Sequence, residues 1–407
     1  MSKATKEKLF LISPMLHQGG FERVCITTAR LLEDVYDITI VIFSNANIAY
    51  DISGLNIVNL DVPTKKGRFQ KIINVLKRVH RMKVLKKKIL PDISYSFGPT
   101  ANLVNALSKT KATKVWLGLR NYTDVEQTLS MKLFVKRADS IIACSKEIES
   151  EVRKQFGYDK VYTLYNLYDV DKIAREAEEK LDYWPFEDDK RHTIVAMGRD
   201  DDQKSYWHML KAFKLAHDRV SSAKLVILGA GNFELYKDMA KKLEIEDSVY
   251  FAGMRKDPYK FLYKSGIYLM TSYNEGFPNA LVEGMSLGLA SISTNCLTGP
   301  AEIMIDASAV CVQVANAMLA DGDSENVIDG ALYADYGILV PLMSKERNLD
   351  ISDLSEEVIC ANVLINLLID DEIYNKYSDQ AKKRAGDFTY EAYKTRFIEI
   401  VNDMKVS

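Results

Sequence analysis

Short runs of branched and aromatic residues recur along the chain, each closed off by glycine, proline or polar residues, and between them lie longer segments with apolar positions three or four apart. The short runs have the length and composition of buried strands, and the longer segments have the period of amphipathic helices. Their alternation predicts an α/β fold made of βα units on parallel sheets. In the first half, strands are predicted at Leu9–Ser13, Ile38–Phe43, Ile57–Leu60, Ile93–Ser96, Val115–Leu117 and Ile141–Cys144. From Val170 to Arg191 the chain turns strongly charged and includes Pro185, so apolar burial is expected to lapse there. Beyond it the alternation resumes. Strands are predicted at Thr193–Met197, Lys224–Leu228, Val249–Phe251, Ile267–Thr271 and Ser291–Thr294, with helices starting near Ser205, Phe233, Pro258 and Ala280. The tail from Ser355 is helical by period.

The pattern predicts two doubly wound domains, residues 1–169 and 192–385, joined by a linker at 170–191, with a C-terminal helix at 386–407 that packs back on the first domain. A length of 407 residues supports this division, because it exceeds the usual span of a single core. The formal net charge of −2 argues against a nucleic-acid partner read from bulk charge. The five cysteines, Cys25, Cys144, Cys296, Cys311 and Cys360, are odd in number and lack CxxC spacing, so neither a disulfide framework nor a zinc site is expected. A reducing cytoplasm fits this usage. The apolar run after the first lysines is too short for a signal segment or a membrane span and is assigned to the first strand.

In open α/β sheets, ligands bind beyond the carboxyl ends of strands, where glycine loops and helix N-termini present unpaired N–H groups to anions. Four such loops stand out. Pro14 to Arg23 carries Gly19 and Gly20, which permit close backbone approach to a phosphate or sugar, or simply make a tight strand-to-helix turn. The loop Gly198-Arg199-Asp-Asp-Asp-Gln-Lys204 offers two cations to a diphosphate. Its Asp200, Asp201 and Asp202 are either oxygen ligands for a metal or the polar residues that fix a turn. Gly229-Ala-Gly231 lacks the third small residue of a dinucleotide fingerprint, since Glu234 stands there, but suits close approach to a base or phosphate. The strongest is Ser272 to Met285, which places Glu275 in a loop after a strand and Glu283 one turn into the next helix. Two acceptor-rich carboxylates across a helix N-terminus suit the hydroxyls of a sugar nucleotide, with N–H groups near Phe277 and Asn279 for its diphosphate.

Glu275 and Glu283, separated by seven residues within EGFPNALVEGM, resemble the EX7E motif of retaining glycosyltransferases of family GT4. The order GGFER, GRDDDQK, LGAG, EGFPN, TGPAEI (Thr298–Ile303) and YGILVP (Tyr336–Pro341) extends the resemblance over nearly the whole chain. It implies the GT-B fold, two Rossmann-like domains facing across a cleft. It further implies that Glu283 binds the donor ribose, that Glu275 contacts the transferred sugar, and that Arg199 and Lys204 neutralise the diphosphate. Gly198, Gly229, Gly231, Gly276, Phe277, Pro278 and Asn279 complete the donor site, and the Gly19–Gly20 loop closes over donor and acceptor. No metal and no cofactor are implied, the nucleotide-sugar being a substrate. One departure concerns the strand Val115–Leu117: where many relatives carry a histidine after it, this chain has Arg120 and Asn121. Arg120 stays protonated and is not a base; it is assigned to the acceptor or sugar side, holding an anion there, or to a salt bridge across the cleft.

The expected activity is transfer of a hexose or N-acetylhexosamine from a nucleotide-sugar, UDP-linked in the first place, to a growing, lipid-linked surface glycan of capsule, exopolysaccharide or lipopolysaccharide type. The alternatives are a sugar-nucleotide epimerase, a phosphorylase, or an inactive donor-binding partner. Between Asp61 and Asp92 there is no acidic residue, while Lys65, Lys66, Arg68, Lys71, Lys77, Arg78, Arg81, Lys83, Lys86, Lys87 and Lys88 all occur. Ile72, Val75, Leu76, Val79 and Met82 recur among them at helical spacing. That stripe is expected to pack on the core, and the charges of 65–88 to hold the protein against anionic lipid on the inner face of the cytoplasmic membrane.

Overall fold

The computed structural model describes residues 6–406, apart from 18, 65–66, 188, 307–314, 316–318, 320–325, 351 and 353–354. The chain forms two compact units, Met1–Leu167 with Tyr390–Ser407, and Tyr168–Thr389.

In the first unit, β1 (Lys8–Ser13), β2 (Asp37–Ile42), β3 (Ile57–Asn59), β4 (Ile93–Phe97), β5 (Lys114–Leu119), β6 (Ser140–Ala143) and β7 (Val161–Thr163) form a parallel sheet in the order β3-β2-β1-β4-β5-β6-β7. Strand alternation sends Leu9 and Leu11 of β1 into one core cluster and Phe10 and Ile12 into another. Both faces of the sheet are therefore covered, and each of these side chains contributes about 1.5–3 kcal/mol by leaving water. The C-terminal helix Tyr390–Val406 belongs to this unit: Tyr393, Phe397, Ile400 and Val401 join the Leu9 cluster, and the hydroxyls of Tyr393 and Thr28 share a hydrogen bond of 2.9 Å.

The second unit contains β8 (Thr193–Met197), β9 (Lys224–Leu228), β10 (Val249–Gly253), β11 (Ile267–Met270), β12 (Ala290–Thr294), β13 (Val327–Ile328), β14 (Ala331–Tyr333) and β15 (Ile338–Val340), in the order β10-β9-β8-β11-β12-β15-β14-β13. The pairs from β10 to β15 are parallel, and β15, β14 and β13 close the sheet with an antiparallel edge. Neither that edge nor β7 is among the strands predicted from the pattern. The segment read as a linker instead opens with a helix, Val170–Ala177, in the second unit. Asp169 caps it by accepting from the Lys172 N–H at 2.9 Å, and its Ile173 and Ala177, four residues apart, are buried.

The basic helix Arg68–Ile89 reverses the expected orientation of its first turns. Asn74, Arg78, Met82 and Lys86 face inward, whereas Phe69, Ile72 and Leu76 are 85%, 57% and 62% exposed. Hydrogen bonding is the reason. The Arg78 guanidinium donates to the Val62 carbonyl at 2.9 and 2.8 Å, and the Asn74 amide donates to Pro63 O at 2.9 Å, so polar groups occupy the inner face. Further along, buried Lys86 donates to Asn105 Oδ1 at 2.7 Å, and burial pushes its ammonium pKa down to about 7. Lys65 and Lys66, and the Arg68 side chain, lie outside the described residues. Cys25, Cys144, Cys296 and Cys360 are buried, and Cys311 also lies outside the described residues. Among the described residues no helix is long and apolar enough to cross a membrane.

Candidate active site

Each parallel sheet reverses its winding once, and a crevice opens beyond the strand ends at that point. In the second unit the reversal falls between β8 and β11. The loops leaving those two strands are Gly198–Lys204 and Thr271–Pro278, the two most cationic and carboxylate-bearing candidates in the sequence. They are tied together along their length. Gln203 donates through Nε2 to Asn274 O and accepts at its carbonyl from the Tyr273 N–H at 3.1 Å, while Thr271 Oγ1 donates to Lys204 O at 2.9 Å. The single turn of 3₁₀-helix Asp202–Lys204 is thereby fixed, and it delivers the Lys204 ammonium to Glu275 Oε1 at 2.6 Å. Residues 71 positions apart become an ion pair with side chains 21% and 11% exposed.

A third loop supports the Glu275 backbone from below. Glu275 N–H donates to Leu297 O at 2.8 Å, Thr298 N–H donates to Glu275 O at 3.0 Å, and Thr298 Oγ1 donates to Gly276 O at 2.7 Å. Gly299, at φ +97, lies so close that a Cβ there would sit 2.6 Å from Pro278 Cδ. Thr298 and Gly299 are visible in the sequence only as part of a motif; the signal for their role is a Gly-Pro pair directly after a strand in a sheet's ligand-facing end.

The helix Asn279–Ser286 starts at this junction without a side-chain cap, its N-cap being Pro278. Its first N–H groups and its dipole favour an anion there. Glu283 lies one turn in, 3% exposed, and accepts from the Tyr259 hydroxyl at 3.4 Å. Phe277 packs edge-on against Phe388 at 5.2 Å, and Asn279 Oδ1 accepts from Tyr168 OH at 2.6 Å. These two side chains therefore brace the loop. Tyr168 and Tyr259 do not stand out in the sequence, because a lone tyrosine carries no local signature.

Other predicted residues have structural tasks. Gly229, at φ +153, abuts the Gly198 backbone, and a Cβ there would sit 1.7 Å from Gly198 O. Gly231, at φ +136, is packed on Asp200 in the same way, at 2.1 Å from its Cβ. Asp200 Oδ2 accepts from Phe233 N–H at 3.1 Å, Asp201 Oδ1 accepts from Gln203 N–H at 3.0 Å, and Asp202 pairs with Arg347. All three aspartates therefore shape the loop. Among the described residues no group of three or more His, Cys, Asp or Glu side chains gathers as a metal set. Arg199 does not converge with Lys204 here: its side chain is 76% exposed and lies 3.8 Å from Asp201.

In the first unit the reversal falls between β1 and β4. Gly19 follows β1, but its N–H donates to Tyr50 OH at 3.0 Å and its carbonyl accepts from the same hydroxyl at 2.7 Å. The helix beginning at Gly20 has no side-chain cap. Arg120 donates to Asn166 Oδ1 at 3.1 Å and to Tyr95 OH, and its guanidinium lies 4.8 Å from the Phe97 ring centroid. No carboxylate among the described residues pairs with it. Burial pushes the neighbouring Tyr95 phenol and Cys25 thiol far up, so these two neighbours meet the cation as neutral groups. Asn121 Oδ1 accepts from Thr123 N–H at 3.2 Å, while Asp124 Oδ2 accepts from Arg120 N–H at 2.8 Å, a turn that the sequence pattern does not announce.

Residues 179–330 match the family described as "Glycosyl transferases group 1". The chain is 30% identical over 344 residues to an uncharacterised glycosyltransferase of Methanocaldococcus jannaschii, covering 78% of this chain and 80% of the relative. It is 24% identical over 404 residues, 94% and 96% of the two chains, to a Campylobacter jejuni N-acetylgalactosamine-N,N'-diacetylbacillosaminyl-diphospho-undecaprenol 4-alpha-N-acetylgalactosaminyltransferase. The crystal structure of Anabaena HepE in complex with UDP and glucose superposes with a TM-score of 0.71 at 15% identity, covering 97% of this chain and 99% of that one. The fold is accordingly the GT-B architecture of two Rossmann-like domains. With similarity to a glycosyltransferase at this level over more than three quarters of both chains, the protein belongs to the group 1 glycosyl transferases and is a glycosyltransferase.

Proposed function

We propose that this protein is a retaining glycosyltransferase that moves a hexose or N-acetylhexosamine from a UDP-sugar to a growing, lipid-linked surface glycan. The observation that carries the reading is the Lys204–Glu275 pair at the winding reversal, beside an uncapped helix N-terminus with Glu283 buried one turn in. Breaking the sugar–phosphate bond builds negative charge on the leaving diphosphate. Preorganised cations and N–H groups aimed at that charge are the effective catalysts. Lys204 and the start of the helix Asn279–Ser286 meet that need, and Arg199 is close enough in sequence to close on the same anion. Glu275 takes hydroxyls of the transferred sugar and Glu283 those of the ribose. Both carboxylates accept only, as hydroxyl recognition requires.

The leaving phosphate receives the acceptor's proton in this reading, and the chemistry runs without a metal, since Asp200, Asp201 and Asp202 each hold their own loop. The UDP donor is supported by the UDP and glucose of Anabaena HepE, and the lipid-linked acceptor by the diphospho-undecaprenol in the name of the Campylobacter relative. Arg120, a cation with no carboxylate partner among the described residues, and Asn121 beside it are assigned to the acceptor or sugar side.

The test is a donor panel read as nucleotide release with a membrane extract as acceptor source. A UDP-sugar is expected to turn over only when acceptor is present, with Glu275→Ala and Glu283→Ala at least about tenfold slower, the scale of one lost charged hydrogen bond in the transition state. Release that is equal in all three proteins would sink the assignment.

The exposed Phe69, Ile72 and Leu76, flanked by exposed Lys71, Lys77 and Lys83, suit the interface of an anionic bilayer on the cytoplasmic side. Apolar insertion there adds to about 1 kcal/mol per basic residue near the surface. The protein is expected to float with phosphatidylserine vesicles, and replacing Phe69, Ile72 and Leu76 by serine is expected to abolish the part of that binding that survives about 0.5 M salt, a concentration chosen because it screens charge within about 4–5 Å. No flotation at low salt excludes the membrane contact.

A further inference from the structure

Three ionisable side chains form a cluster outside the donor crevice and wholly out of water. His208 and Lys211, on the helix Tyr206–Arg219, and Glu357, on the helix Ser355–Ile369, are each 0% exposed. His208 Nδ1 lies 2.6 Å from Glu357 Oε1, and Lys211 Nζ lies 3.6 Å from the same oxygen. Burying such charges is costly, and apolar side chains of equal volume fill a core at no such penalty. The cluster's outward hydrogen bonds show what it holds. His208 Nε2 lies 2.9 Å from Ser344 O, and Lys211 Nζ donates to Ser352 O at 3.0 Å. A carbonyl only accepts, so His208 Nε2 is the donor to Ser344 O.

Ser344 and Ser352 bound the segment that follows β15, and between them lies Arg347. Its guanidinium pairs with Asp202, the first residue of the 3₁₀ turn that ends in Lys204. Lys345 of the same segment sits 5.7 Å from the Tyr273 ring centroid, beside the loop that carries Glu275. The contacts run from the buried cluster to Ser344, along the chain to Arg347, across to Asp202, and two residues on, within the same 3₁₀ turn, to Lys204.

We infer that the His208–Glu357–Lys211 cluster, acting through Arg347 and Asp202, positions Lys204 for the leaving diphosphate. The inference rests on the reading of Lys204 as the leaving-group cation. Arg347 is a positioning residue in this arrangement: its charge is met by Asp202, so it fixes the turn and does not bind the donor. Lys204 reaches its place only if the turn cannot rock, and displacements of about 1 Å in such a group cost up to about a hundredfold in rate.

The experiment measures acceptor-dependent nucleotide release from the UDP-sugar found active, in full-length protein, for wild type, Lys204→Ala, Arg347→Ala, Arg347→Lys, His208→Gln, Asp202→Arg, Arg347→Asp and the charge-exchanged pair Asp202→Arg with Arg347→Asp. Arg347→Ala, with a side chain 43% exposed in the native protein, is a surface change that leaves folding intact. Arg347→Ala and His208→Gln are expected to lower kcat about tenfold with donor KM within about twofold, while Arg347→Lys and the exchanged pair recover to within about threefold of wild type. A simple loss of core packing gives no recovery by charge exchange. If Lys204→Ala is inactive while Arg347→Ala keeps full kcat, or if the exchanged pair is no better than its single variants, the positioning role is wrong. If Lys204→Ala itself keeps its rate, the reading of the site fails and this inference with it.

Discussion

Lys204→Ala is expected to lose roughly 100- to 1000-fold in kcat, the usual consequence of removing one preorganised donor from a developing oxyanion, about 3–4 kcal/mol of barrier. The geometry explains why Arg199, even when it closes on the same anion, does not take the place of Lys204. Arg199 points into solvent, and the channel that holds Lys204 is narrow: a Cβ on Gly198 would lie 2.7 Å from Lys204 Cε. The variant also leaves the Glu275 carboxylate, on a side chain 11% exposed, short of its charged donor and facing the incoming diphosphate with the wrong sign. A purely structural lysine predicts something different, namely a lower unfolding midpoint with normal kcat per folded molecule. The double variant Lys204→Met with Glu275→Gln separates the two. Removing both charges restores stability in either case, because a neutral pair leaves no buried ion unmatched. The structural reading then expects the double variant to match Glu275→Gln alone in kcat, whereas the catalytic reading expects it to fall roughly a further hundredfold below Glu275→Gln. Acid-quenched pre-steady-state formation of nucleoside diphosphate with saturating donor and acceptor is the measurement, since it counts product still bound to the enzyme and so isolates bond breaking from product release.

The parts of this site that were legible in the sequence are the local ones. Glu275 and Glu283 are eight positions apart, so strand-loop-helix patterning alone places one in the loop and the other a turn into the helix. The pairing of Glu275 with Lys204 was not legible, because it depends on which strands lie side by side at the winding reversal. Periodicity has a related blind spot. It shows that Ile72, Leu76 and Val79 share a stripe, but not which side of the helix the core occupies. There, hydrogen bonds from Asn74 and Arg78 to the carbonyls of Pro63 and Val62 outweigh the apolar pattern. The helix Val170–Ala177 carries Val170, Ile173, Ala174 and Ala177 at helical spacing, but the charged stretch around and after it and Pro185 mask so short a period. The strands β7, β13, β14 and β15 have two or three residues each, too few to show a period. The buried cluster of His208, Lys211 and Glu357 was equally invisible, being split between two helices 149 positions apart.

Gly229→Ala is expected to damage fold and rate together, and a second glycine supplies the control. At φ +153 an alanine is strained, and its Cβ would fall 1.7 Å from Gly198 O and 2.5 Å from Gly198 C. These are backbone atoms at the end of β8, which no rotamer change moves aside. The N–H of Gly229 is meanwhile held by Gly253 O at 3.0 Å, and that of Gly198 by Leu228 O at 2.8 Å, so relief requires breaking one of these contacts. Backbone strain of about 1–3 kcal/mol and overpacking of about 1–3 kcal/mol act at one point, a large share of the roughly 5–15 kcal/mol that typically holds a domain together. Gly253 has a positive φ of +71, but a Cβ added there would meet nothing within 4 Å, so Gly253→Ala carries only the dihedral penalty. Hydrogen exchange in β8 and β9 reports the second unit without assuming that both units unfold as one. The expected order is strong loss of protection for Gly229→Ala, a mild loss for Gly253→Ala, and a fall in kcat for the former alone, because only Gly229 bears on the strand end from which Arg199 and Lys204 depart. Equal protection in the two variants would mean that the Gly198 loop yields freely, and the placement of Lys204 would then owe nothing to the packing of Gly229 beneath it.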